Sequence, residues 1–256
     1  AEDTSGTSLS AFNSNGFQLS DDGTYLNAGS NTYVAYNWRS NGGTTSSGSG
    51  DLTSTHQVDP SGGFSGGSGD KTVSHGLSAA PTAILAKNLD TTYNWDTFWA
   101  EGLTASTYGI RLNTSDNEFS GRWGTVNSSI FTCKDNYTWA GTNNYIYYCF
   151  TNIEGYIKAG TYVGNGNDDG TFSYTGFKPA WLLYNNKTLG YNLDSAGNAM
   201  VYPDTDNAEE NQASRAIDIL SNGFKLRTSN ATGNASGGNY IYLAFASNPF
   251  KYSLAR

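Results

Sequence analysis

The sequence predicts an all-β protein built of tandem antiparallel β-sandwich domains: two full copies of a repeat and the C-terminal part of a third. Three observations lead there. Helix-forming residues are sparse, while 18 Tyr, 12 Phe and 6 Trp stand between Gly, Asn, Ser and Thr clusters, the punctuation of short strands and turns. Apolar residues recur at period two. One phrase, finally, is written more than once. "LSAFNSNGFQLSDDGTYLNAGSNTYVAYNW" (9–38) returns as "IDILSNGFKLRTSNATGNASGGNYIYLAFA" (217–246), and more faintly as "SSIFTCKDNYTWAGTNNYIYYCF" (128–150). The interval from Gly16 to Tyr33 equals that from Gly223 to Tyr240, and Asn27-Ala28 aligns with Asn234-Ala235. Successive copies lie about 100 residues apart, which suits a small domain and exceeds the ~20–50-residue period of a solenoid.

Residues 1–40 then form the C-terminal part of a first repeat, and 41–50, "NGGTTSSGSG", a flexible linker. Residues 51–154 make one sandwich, and 155–256 a second with a short C-terminal tail. Each closes on an alternating strand: Val34, Tyr36, Trp38; Ile146, Tyr148, Phe150; Ile241, Leu243, Phe245. These sets are predicted to face the core. The opposite faces, Tyr145, Tyr147, Cys149 and Tyr240, Tyr242, Ala244, are predicted to be partly covered. The strand before it points Phe17/Leu19, Phe131/Cys133 and Phe224/Leu226 inward, and the glycine before Phe17 and Phe224 fits a tight entering turn. Ala83-Ile84-Leu85 and Trp181-Leu182-Leu183 are apolar strands that follow a Gly and a Pro. Residues 208–220 are read as one short helical turn.

Net charge is −8 and the isoelectric point about 4.6, with no Lys/Arg cluster, which disfavours a nucleic-acid-binding face. No apolar run reaches the ~20 residues of a membrane span. The chain opens without Met inside a repeat, and is expected to be a piece of something longer. Cys133 aligns with Leu19 and Leu226 and reads as a core hydrophobe; a disulfide to Cys149 remains open. His56 and His75 are expected at the surface or in turns, and with two cysteines their spacing fits no zinc pattern.

Two segments carry candidate chemistry. "YNWDTFWAEG" (93–102) sets Tyr93, Trp95 and Trp99 beside Asp96 and Glu101, the stacking faces and acceptors of a sugar-binding groove. A strand whose aromatics belong to the core is the competing reading. Phase changes at Phe98, predicting a bulge or bend. Asp96 and Glu101 could also be nominated for glycoside hydrolysis, which needs two carboxylates about 5–10 Å apart. "GNGNDDG" (164–170) could hold Ca²⁺ through Asp168 and Asp169, or be a polar hairpin loop. Serine-triad and phosphate-loop signatures are missing. Five glycosylation-type triplets, at Asn127, Asn136, Asn186, Asn230 and Asn234, follow from composition.

The phrases at 27–38, 154–183 and 217–251 resemble a family of marine bacteriophage structural proteins that carry tandem copies of such a domain. The resemblance implies a lectin-like, jelly-roll sandwich in a virion component, and it transfers no functional residue. The expectation is a non-enzymatic, extracellular virion protein, a fibre or appendage, whose partners are other virion proteins and host-surface glycans. It is expected to be homo-oligomeric, a trimer if a fibre. A capsid decoration protein is the alternative, and a polysaccharide-degrading virion enzyme the third reading.

Overall fold

A computed structural model of the chain describes residues 9–19, 35, 37, 46–47, 55–59, 64–68, 72–114, 116–134, 144–186, 192–196, 199–201, 210–211 and 215–247. It divides into two compact units, 1–39 and 40–256. In the first, β1 (Leu9–Asn13) and β2 (Gly16–Leu19) form an antiparallel hairpin across the two-residue turn Ser14-Asn15. Phe17 is exposed there, against the inward orientation predicted for it. The expected core residues Val34, Tyr36 and Trp38 lie outside the described residues, as does the 250–256 tail.

Among its described residues the second unit is built of strands and turns, with one short α-helix. Its first half contains β3 (Ser46–Ser47), β4 (Thr55–Asp59), β5 (Phe64–Ser68), β6 (Thr72–Ser74), β7 (Ala83–Asn88), β8 (Asp96–Trp99), β9 (Ile110–Arg111), β10 (Trp123–Val126), β11 (Ile130–Cys133) and β12 (Tyr145–Phe150). Its second half contains β13 (Ile157–Val163), β14 (Phe172–Tyr174), β15 (Pro179–Asn186), β16 (Asn192–Ala196), β17 (Ala199–Val201), β18 (Glu210–Asn211), β19 (Ile217–Leu220), β20 (Gly223–Leu226), α1 (Ala231–Asn234) and β21 (Asn239–Ala246). One sequence expectation changes here: Ser46–Ser47 is a strand paired with β4, so the 41–50 stretch is not wholly linker. Of the 208–220 stretch read as a helical turn, 208–209 and 212–214 lie outside the described residues, while 210–211 and 217–220 are β18 and β19. A helical turn stands at 231–234, where the Asn230 side chain accepts from Thr232 N and caps it.

The two halves share a central strand order, β5-β12-β7-β8-β9 corresponding to β13-β21-β15-β16-β17, within sheets of seven and six strands. The large sheets run β3-β4-β5-β12-β7-β8-β9 and β13-β21-β15-β16-β17-β18; the small ones run β10-β11-β6 and β19-β20-β14. Each large sheet packs on its small sheet to make a sandwich. The middle sandwich buries Val73, Phe98, Trp123, Phe131, Cys133 and Tyr147. The last buries Tyr162, Leu182, Tyr184, Phe224, Leu226 and Tyr240. Phe131/Cys133 and Phe224/Leu226 therefore face inward as predicted.

The closing strands reverse the expectation. Tyr145, Tyr147 and Cys149, with Tyr240, Tyr242 and Ala244, are the residues inside the sandwiches. The aliphatic face instead builds a third core between the two sandwiches, from Ala83, Trp99 and Phe150 on one side and Leu183, Leu243 and Phe245 on the other. Tyrosine is compatible with the inner face because its phenol finds a backbone acceptor. Tyr147 donates to Ser74 O (3.0 Å), Tyr162 to Gly233 O (2.8 Å) and Tyr240 to Ala231 O (2.8 Å). At the junction Phe245 meets Phe150 edge-on (5.6 Å, 76°) and Trp181 likewise (5.2 Å, 63°). Gly102, at φ +86°, lets its loop lie against the Thr161 and Ile241 side chains: a Cβ there would stand 2.5 Å from Thr161 Cγ2 and 2.9 Å from Ile241 Cγ2.

Gly223 has a different reason from the predicted turn. The turn itself is Ser221-Asn222, and a Cβ on Gly223 would lie 2.1 Å from the Ser173 carbonyl oxygen of β14. Close approach of the neighbouring strand demands glycine.

Burial, then the neighbouring Tyr184 and Tyr240, raise the Tyr162 phenol well above its ordinary value of 10.0. A folded-state value raised above the unfolded one contributes stability that is complete below the unfolded value and is lost as pH climbs through the folded one. Alkaline unfolding should therefore begin as pH passes about 10, with phenolate absorbance rising as far-ultraviolet circular dichroism is lost. Titration of all 18 tyrosines with the fold intact would contradict the buried tyrosine core.

Candidate functional site

The segment 93–102 does not form one groove. Register along β7–β8 is unbroken from Ala83↔Trp99 to Ala86↔Asp96, so no bulge turns the chain at Phe98. All four β8 residues are buried, because this sheet is covered on both faces. Phe98 enters the sandwich core and Trp99 the junction, where its indole N–H donates to Thr97 Oγ1 (3.0 Å). Trp95 is half-buried and stacks on Tyr148 (6.2 Å, 21°). Tyr93 remains exposed. The core reading of these aromatics thus holds for Trp99, and the stacking platform reduces to Tyr93.

Asp96 is fully buried, opposite Arg111 on β9. Its carboxylate lies 3.9 Å from Arg111 Nε and 3.7 Å from Arg122 Nε. Those guanidiniums stand 5.0 and 4.8 Å from the Phe119 ring centre, and Arg111 also binds Asp116 at 2.6 Å. That bond holds the Asp116 carboxyl below its ordinary value. Asp96 is a buried counter-ion that fixes two arginines around an aromatic ring.

Glu101 points elsewhere. It is exposed and lines a small open cleft between the sandwiches, with Thr82, Trp99, Ala100, Asn152, Ala159 and Gly160. Asp96 takes no part in that lining, so the nominated carboxylate pair does not share a cleft. Most polar groups of the cleft are already committed. Asn152 Oδ1 accepts from Ala159 N (2.7 Å) and its Nδ2 donates to Ala159 O (3.1 Å), while the Thr82 hydroxyl donates to Phe150 O (3.2 Å). Asn152 thereby occupies the outer edge of β13, as a neighbouring strand would.

In the 164–170 loop both aspartates are engaged by groups of the protein. Asp169 binds Lys225 Nζ (2.7 Å) and Arg227 (2.9 Å), and Asp168 accepts from Ser229 N (2.8 Å). The Lys225 bond, chiefly, holds the Asp169 carboxyl below its ordinary value. No group of three His, Cys, Asp or Glu converges among the described residues. At the centre stands Asn234, fully buried: its Nδ2 reaches Asn165 Oδ1 (2.9 Å), Asn167 O (2.9 Å) and Thr228 O (2.7 Å), and its Oδ1 accepts from Asn165 N (2.9 Å). Sequence reasoning aligned Asn234 with Asn27 without assigning it this role.

His75 is also corrected. It is fully buried, taking Leu77 N on Nδ1 (3.0 Å) and presenting Nε2 to Asn127 O (2.9 Å), which makes it the neutral Nε2–H tautomer. The His56 side chain lies outside the described residues. Cys133 and Cys149 are both buried thiols, with no disulfide between them. Of the glycosylation-type asparagines, Asn127 caps Ser129 N and Ile130 N, Asn230 caps α1 and Asn234 is the loop hub. Asn136 and the Asn186 side chain lie outside the described residues.

A family model described as "Domain of unknown function (DUF7483)" matches residues 1–249, running through all three copies of the repeated phrase. No curated protein matches the chain, and no solved structure does.

Proposed function

The chain belongs to the family described as Domain of unknown function (DUF7483), and from that premise we propose that it is a non-catalytic structural component of a bacteriophage particle, a segment of a fibre or similar appendage. The observation that carries the reading is the junction between the sandwiches. Two sandwiches with a corresponding central strand order bury the outer faces of their large sheets in one shared core. Tandem domains joined by flexible linkers move independently; these two are packed together, as a load-transmitting rod requires. The phage address comes from the phrases at 27–38, 154–183 and 217–251. Its partners in this reading are other virion proteins, further copies of the chain, and glycans of the host surface. Capsid decoration is the second reading, since the same packed body would serve on a head lattice.

Gold-labelled antibody against the chain, applied to intact particles of the phage that encodes it, is the test. Label on the tail or protruding fibres is expected. Regular label over the head would favour decoration, and particles free of label would overturn both readings.

A further inference from the structure

The junction and the small sheet of the last sandwich present opposite kinds of surface. The junction is aliphatic and aromatic, built from Leu183, Ile241, Leu243 and Phe245. The outer face of β14-β20-β19 has another composition. Phe172 and Tyr174 project from edge strand β14 on the same side, 43% and 64% exposed, while Ser173 between them is buried. Two large exposed rings on one face of an ordered strand are informative in a way that scattered surface apolars are not.

Each ring has backbone beneath it. A Cβ on Gly223 would lie 3.0 and 3.1 Å from Cε2 and Cζ of Phe172, so that ring covers the glycine instead of standing off the sheet. A Cβ on Gly176 would lie 3.7–3.9 Å from the hydroxyl and ring carbons of Tyr174, which places that ring along the 175–177 turn. Residues two apart on a strand are separated by about 7 Å, so one extended molecule running along β14 meets both.

Charge completes the surface. Lys225 lies directly across from Phe172, and Asp218 directly across from Lys225. Lys225 binds Asp169 (2.7 Å), Arg227 binds Asp169 (2.9 Å), and Arg227 binds Asp218 (2.6 Å). Two cations and two carboxylates are tied into a network of zero net charge. Such a strip offers fixed hydrogen-bond donors and acceptors without attracting an ion of either sign. Polyhydroxyl rings with apolar faces are the chemistry that fits flat aromatic rings beside that strip.

We propose that the β14-β20-β19 face binds an uncharged polysaccharide, which stacks on Phe172 and Tyr174 and hydrogen-bonds to the Lys225–Asp169–Arg227–Asp218 network. This deepens the appendage reading by naming a surface and a ligand class, and it relocates the sugar contact away from 93–102. Pre-set rings and paired charges lose little freedom on binding, and several copies of the chain on one particle would add avidity.

The test is affinity electrophoresis of the purified chain through gels containing dextran, laminarin, galactan or alginate. Retardation by at least one of the three neutral polymers is expected, little changed by salt because no ion is exchanged. The double variant Phe172→Ala/Tyr174→Ala should weaken it about tenfold or more, with its melting temperature close to that of the parent because both side chains are exposed. Three outcomes overturn the proposal: no retardation by any neutral polymer, retardation by alginate alone, or retardation that persists in the double variant. A parent that self-associates through this face, becoming monomeric only in the variant, would overturn it as well. Since these measurements use purified protein, their failure leaves the particle-labelling test standing, and the reverse also holds.

Discussion

Phe245→Ala should lower stability by about 3–5 kcal/mol and split one thermal transition into two. Phe245 packs between Phe150 and Trp181 in the core shared by the two sandwiches. It belongs to neither internal core. Truncating it therefore costs the coupling between sandwiches before it costs either sandwich itself. Differential scanning calorimetry reads both effects. Phe224→Ala is the control: that ring lies inside the last sandwich, in edge contact with Tyr162 (5.8 Å) and Tyr242 (5.1 Å). It should destabilise the last sandwich and leave the junction face intact. A single transition for Phe245→Ala, shifted no more than a surface substitution would shift it, would refute the shared core and with it the architectural basis of the appendage reading.

Asn234→Ala should cost about 2–4 kcal/mol and release the 164–170 loop. One amide there sets its two N–H groups among three acceptors and accepts from one donor, drawn from separate segments. Alanine supplies neither hydrogen-bonding function, and the site is too enclosed for each orphaned group to regain a partner at no cost. Amide exchange at Asn165 should accelerate, since its N–H donates to Asn234 Oδ1. Gly166 N donates to the Asn234 backbone carbonyl instead and should be less affected. Equal protection of Asn165 in parent and variant would show that the side chain is not the hub.

Legibility in the sequence followed what lies close along the chain. Strands announce themselves by alternation and by the turn residues that bound them. Phe131/Cys133 and Phe224/Leu226 alternate against polar neighbours, so their inward side could be read directly. Ser-Asn-Gly marks the hairpin turns at Ser14-Asn15 and Ser221-Asn222. The repeated phrase, too, corresponds to comparable closing strands, β12 between β5 and β7 and β21 between β13 and β15.

The candidate site fared differently, because its residues depend on what covers each face. The Tyr145/Tyr147 and Ile146/Tyr148 sides of β12 are both apolar enough to be buried, and alternation has no means of ranking them. Buried tyrosine needs a carbonyl acceptor, and those of Ser74, Ala231 and Gly233 come from elsewhere in the chain. Asp96 and Glu101 are five positions apart, yet one is enclosed between two arginines and the other opens on the junction cleft. Local alternation thus sufficed for an all-β chain, its turns and its repeated strands, since those follow from backbone sterics and the period of the pleat. Which side of a sheet meets its own sandwich, which meets its neighbour and which is left to solvent depended on contacts between residues tens of positions apart, where burial and charge pairing act through space.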